Sequence, residues 1–172
     1  MPSPSQDSAK LIDAHLAEVY RYAFRLSGTQ WDAEELTQQV FLIAIENLGQ
    51  LRHPESTRSW LFTILRNCFL RMKRRWEPHL AADVDLDLDQ VAEEVPDADA
   101  IDGESLQAAL NRLSGEFRLV VLMYYFEQCS YREIAEKLGS PIGTVMSRLA
   151  RGKAALRKLL ADQSLTVAKV SP

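Results

Sequence analysis

Apolar residues return every three or four positions through three stretches of the first half of the chain, the period of a helix with one buried face. Ile12, Leu16, Val19, Ala23 and Leu26 predict a helix over about 9–26, ended by Ser27-Gly28. Leu36, Val40, Ile43, Ala44 and Leu48 predict a second over 32–48, opened by Asp32. A loop over 49–57 holds Pro54 and leads into a third helix, 59–75, with Leu61, Ile64, Leu65, Cys68 and Met72 turned inward. Three such helices can close one small core. The period fades over 78–100 and returns in 101–113 (Leu106, Ala109, Leu110, Leu113) and in 116–127, which is rich in bulky apolar residues.

The stretch 130–160 reads as two helices joined by a tight turn. Ser130 and Glu133 have the spacing of a capping box, in which hydroxyl and carboxylate each satisfy an N–H of the first turn. Ile134, Ala135 and Leu138 share a face, and Gly139 stands where the chain must leave the helix through positive φ. Ser140 is expected to cap the next helix, with Pro141 in its first turn. Val145, Leu149, Leu156 and Leu160 form that helix's apolar stripe, while Thr144, Ser147, Arg148 and Arg151 gather on another face. A capped short helix, a Gly turn and a second helix with Arg and small polar groups near its start describe a helix-turn-helix.

The predicted fold class is all-α. Two small helical domains, 9–77 and 101–161, are joined by a flexible acidic linker, 78–100, and the second is a four-helix unit ending in the helix-turn-helix. Residues 1–8, rich in Pro and Ser, are expected to be disordered and the tail after Ala161 frayed.

Charge sharpens this picture. The chain has 172 residues and a formal net charge of −4, which spread evenly would disfavour nucleic acid. Instead Arg52, Arg58, Arg66, Arg71, Lys73, Arg74 and Arg75 stand against Glu55 alone between 52 and 75. Between 83 and 104 there are ten acids and no Lys or Arg. Basic residues again exceed acids from 112 to 158, so two basic blocks flank an acidic one. A tether of about 23 flexible residues has a root-mean-square span on the order of 25–30 Å, and self-repulsion extends it.

Candidate chemistry follows the basic blocks. Arg reads guanine bidentately in the major groove, and Ser or Thr reaches phosphates and base edges, so Thr144, Ser147, Arg148 and Arg151 are candidates for duplex contacts. The outer face of the third helix carries Arg66, Asn67, Arg71 and Arg74, beside a polar loop with Arg52, His53 and Ser56. Basic residues interleaved with aromatics suit single-stranded nucleic acid, although Trp60 and Phe62 at helical spacing are more often core than a stacking platform. The second helix shows an acidic and amide face, Asp32, Glu35, Gln38 and Gln39, suited to a basic protein partner. Cys68 and Cys129 read as buried thiols of a reducing cytosol. Scattered histidines, no phosphate loop and no nucleophile motif point to no metal, no cofactor and no enzyme.

DAEELTQQVF (32–41), SWLFTILRNCFLRMKRR (59–75) and SYREIAEKLGSPIGTVMSRLARGKAALR (130–157) together resemble bacterial extracytoplasmic-function sigma factors, the small group of RNA polymerase specificity subunits. The resemblance spans about 9–160. It implies that Asp32, Glu35, Gln38, Gln39 and Phe41 face the clamp helices of the polymerase largest subunit, with a further contact to the flap. It implies that Arg52, His53, Ser56, Arg66, Asn67, Arg71 and Arg74 capture the opened −10 strand. Ser140, Thr144, Ser147, Arg148 and Arg151 would meet the −35 duplex. An anti-sigma factor, often membrane-bound, is the implied regulator, and the chain itself is expected to be cytoplasmic. Two positions depart from the family: Gln39 stands where an acid is usual, and Met146 where a basic or polar residue is common. The rival reading is an autonomous helix-turn-helix regulator, which would bind duplex operator DNA without polymerase.

Overall fold

In a computed structural model that describes residues 4–51, 53–76 and 102–170, the first helix, α1, runs Pro4–Ser27. It begins earlier than the Ala9 expected, because Pro at a first turn lacks only an N–H that would have no partner, and Asp7 there complements the helix dipole. α1 ends at Gly28, whose φ of 86° is left-handed and whose N–H donates to the Phe24 carbonyl at 2.9 Å. α2 (Gln30–Glu46) is capped by Thr29, not Asp32: the Thr29 hydroxyl accepts from the Asp32 N–H and donates to the Asp32 carboxylate at 2.8 Å. Two short 3₁₀ turns, Leu48–Gln50 and Pro54–Ser56, lead into α3 (Thr57–Trp76).

The chain divides into two compact units, Met1–Leu80 and Ala81–Pro172. In the first, α1, α2 and α3 pack against one another. Val19, Tyr22, Ala23 and Leu26 meet Ala33, Leu36, Val40 and Ala44, together with Leu61, Phe62, Leu65, Cys68 and Phe69, all buried. Tyr22 and Phe62 make an edge-to-face pair with centroids 4.8 Å apart. Leu16, expected inside, is exposed, and Tyr22 takes the inward position its helix offers.

The second unit comprises α4 (Gly103–Arg112), α5 (Gly115–Tyr125), α6 (Tyr131–Leu138) and α7 (Ile142–Val170). Asp102 caps α4 and Ser114 caps α5. α5 is buried through Phe117–Met123, as a helix apolar on most sides must be. Arg118 lies within that run and donates to the carbonyls of Asn111 (3.0 Å) and Leu113 (3.2 Å), satisfying the end of α4. α7 crosses α5 at Gly152, where a Cβ would stand 2.8 Å from the Val121 Cγ2. α7 continues to Val170 and the expectation of a frayed end after Ala161 is corrected; no proline or glycine interrupts 161–170. The expected disorder over 1–8 is likewise corrected from Pro4 onward. The predicted linker over 78–100 lies outside the described residues. Among those described there is no strand, and no helix is long and apolar enough to cross a membrane.

Candidate nucleic-acid interface

α6 opens with both halves of the capping box. The Ser130 hydroxyl accepts from the Glu133 N–H at 3.3 Å, and the Glu133 carboxylate accepts from the Ser130 N–H at 2.7 Å. The Ser130 N–H, and after it the Ser130 hydroxyl, hold the Glu133 carboxyl below the usual carboxylate range. α6 closes at Gly139, left-handed at φ 60°, ψ 34°. Its N–H reaches the Glu136 carbonyl at 3.3 Å, and the Ser140 N–H reaches Ala135 at 3.0 Å. This double closure places Ser140 in the turn rather than at the cap expected of it. α7 instead starts from the Pro141 carbonyl, which accepts from Thr144 (3.0 Å) and Val145 (3.2 Å).

Once aimed by this turn, α7 buries Val145, Leu149, Leu156 and Leu160. Ser147 is exposed, and Ser140, Thr144, Arg148 and Arg151 are half-buried. The Arg148 Nη2 lies 2.9 Å from the Glu116 carboxylate at the start of α5. Thr144, Ser147, Arg148 and Arg151 thus share one side of the helix. Met146, noted above for departing from the family, flanks them at 50% exposed, and sequence reasoning missed its neighbour on that flank, Ile142, 48% exposed. The available signal was an apolar residue off the buried stripe. Also missed was an aromatic cluster at the α5–α6 turn. Tyr124 stacks on Tyr131 with centroids 5.6 Å apart, and the Lys153 Nζ stands 4.4 Å from the Tyr124 centroid.

On α3 the structure divides the predicted set. Asn67, Arg71 and Arg74 are exposed along one side, at spacings of four and three. Arg66 is corrected: it is 2% exposed and donates to the Thr63 hydroxyl at 2.9 Å. Its spacing from Phe62 and Phe69, both buried, puts it on the inward stripe and not on the outer face expected of it. His53 and Ser56 are exposed in the preceding loop, where His53 lies 3.1 Å from Glu55. Arg52 lies outside the described residues.

On α2, Glu35 and Gln38 are exposed, and Asp32 and Gln39 are half-buried. Gln39 donates to Glu35 at 3.1 Å. Phe41, expected on the partner face, is instead buried beside Val40 in the three-helix core. Trp31 (77% exposed), Leu42 (63%) and Ile45, none of them anticipated, stand on the outer face at one helical register with Glu35 and Gln38. The surface is therefore an apolar stripe with polar residues set into it. Among the described residues no group of three His, Cys, Asp or Glu side chains could hold a metal.

Sequence models of two families match in order: Sigma-70 region 2 over residues 11–77 and Sigma-70, region 4 over 103–156. The chain is 40% identical over 171 residues to the ECF RNA polymerase sigma factor SigE of Mycolicibacterium smegmatis, covering 96% of this chain and 65% of that protein. It is thus slightly under two thirds of that relative's length. It is 33% identical over 161 residues to the ECF RNA polymerase sigma factor SigL of Mycobacterium tuberculosis, covering 91% of this chain and 90% of that one. SigW of Bacillus subtilis is 28% identical over 166 residues, with 90% and 89% covered. Among solved structures, the sigma factor RpoE of Bartonella quintana, crystallised with the anti-sigma factor NepR, superposes with a TM-score of 0.66 at 27% identity over 90% of this chain and 97% of that one.

Proposed function

The chain belongs to the extracytoplasmic-function sigma factors of the sigma-70 family, and on that premise we propose that it binds RNA polymerase core and directs initiation at promoters carrying its −10 and −35 elements. One observation carries this reading. The two family regions fall on separate compact units, each with a face suited to its task. In the first unit, Asn67, Arg71 and Arg74 on α3, with His53 and Ser56 in the loop before it, meet the opened −10 strand. Cations follow the phosphates, and the loop offers polar groups to an unstacked base. In the second unit, α6 lies across the backbone and α7 enters the major groove of the −35 duplex with Thr144, Ser147, Arg148 and Arg151. The outer face of α2 docks on core, Trp31 and Leu42 supplying apolar contact while Glu35 and Gln38 set register. The segment 78–100 tethers the units, so that engaging one element raises the effective concentration of the other contact.

The polymerase supplies the catalysis; this chain is not an enzyme, needs no cofactor and acts in the cytoplasm. An anti-sigma factor is its regulator, by analogy with the NepR complex of the Bartonella protein. The test combines the purified chain with core polymerase and genomic fragments and maps transcription starts. Starts that share two spaced sequence elements and require both chain and core are expected. Tight operator binding by the chain alone, with no association with core, would overturn the reading in favour of an autonomous regulator.

A further inference from the structure

The exposed side of α7 is chemically divided. With about 100° between successive residues, Thr144, Arg148 and Arg151 lie along one flank and Ile142 and Met146 along the other. Gly143 and Ser147 stand between them. One flank ends in guanidinium and hydroxyl groups. The other ends in a sec-butyl group and a thioether, each about half exposed. A Cβ built on Gly143 would meet nothing within 4 Å, so the protein leaves this turn uncovered. Ile142 and Met146 both belong to the first two turns, the part of a recognition helix that reaches base edges.

These two side chains contribute little to the core that Val145 and Leu149 complete, and neither can serve phosphate. A thioether is at most a weak acceptor and isoleucine has no polar atom, whereas phosphate oxygens, O6 and N7 of guanine all require donors. The major groove offers one apolar feature, the C5-methyl of thymine. Taking as its basis the −35 reading proposed above, we infer that Met146, with Ile142 beside it, reads thymine methyl groups in the −35 duplex. This promoter preference is then set by methyls on one flank of α7 and by hydrogen-bond acceptors on the other. The flexibility of a methionine side chain lets it settle against a methyl whose position varies with local groove width.

The test uses holoenzyme assembled from the full chain and core, on a promoter taken from the mapped starts. Each −35 thymine is replaced singly by deoxyuridine, which removes the methyl and keeps every hydrogen-bonding group. At one or two thymines the substitution is expected to weaken binding about threefold to fivefold, the worth of one buried methyl. That penalty should vanish in Met146→Ala or, at the adjacent position, in Ile142→Ala. Both side chains are exposed, so unchanged thermal unfolding is the check that the variants fold. A −35 element without thymine on either strand, deoxyuridine tolerated at every position, or a penalty unchanged in both variants would each overturn the inference while leaving the −35 reading intact. Indifference to scrambling the entire −35 duplex would overturn that reading, and the inference with it.

Discussion

A Cβ on Gly152 would sit 2.8 Å from Val121 and 3.4 Å from the Phe117 carbonyl, a separation that packed atoms do not adopt without movement. Gly152→Ala is therefore expected to push α7 off α5 and cost about 1–3 kcal/mol, seen as a lower urea midpoint for the second unit. Gln128 presents the opposite case. Its φ of 57° is left-handed, a region that costs a residue with a Cβ about 1–2 kcal/mol. Gln128→Gly should be neutral or stabilising by up to about 1 kcal/mol, since the freer unfolded chain offsets part of the gain; the same denaturation series reads both. On α3, adjacent residues separate packing from the proposed −10 contact. Arg66→Ala should lower stability by about 1–3 kcal/mol by removing a buried stem and its hydrogen bond to Thr63. Asn67→Ala should leave unfolding within about 0.5 kcal/mol of the parent and slow promoter opening, measured by strand-sensitive fluorescence on holoenzyme.

Among the elements, α6 depends most on local chemistry, because its two closures share eight residues with little buried surface. Its cap also titrates. Glu133 has its carboxyl held below the usual range by the Ser130 N–H, and Asp102 at the head of α4 is lowered chiefly by the Ser105 N–H. A lowered folded-state pKa gives stability that is present above the unfolded value and is lost as pH falls through the folded one. Unfolding of the second unit should therefore ease as pH drops below about 4, where carboxylates protonate. Glu133→Gln, which keeps an acceptor but does not titrate, should flatten that acid limb; an unchanged limb would place the acid sensitivity elsewhere. The capping box and the left-handed Gly139 were legible because each needs only a few neighbouring residues. The helices were legible because a period of 3.6 survives single exceptions. Which way a side chain faces was less so. Arg66 reads as outward by its charge, yet Phe62 and Phe69 fix that stripe as inward. Phe41 follows Val40 on a helix apolar on several sides, where period alone cannot separate the buried Val40 and Phe41 from the exposed Trp31 and Leu42. The extent of α1 was hidden because helical geometry tolerates proline at a first turn.

For the whole molecule, two units with separate cores allow partner surfaces to be altered without unfolding either. Trp31→Ala and Leu42→Ala remove exposed apolar area from α2, so each should weaken core binding about tenfold, as central interface residues do, with thermal unfolding unchanged. A competition assay for core against a reference sigma factor measures this; unchanged competition would overturn the proposed apolar contact of α2 with core. The ion pair between Arg148 and Glu116 has a consequence of its own. A guanidinium already matched by a carboxylate displaces few condensed counterions when a duplex arrives, so it adds little to the salt dependence of promoter binding. Glu116→Gln should therefore tighten that binding at low ionic strength and steepen the plot of log K against log salt by about one unit of slope. Glu116 would then act as a governor, leaving the strength of promoter engagement less subject to the ionic strength of the cell.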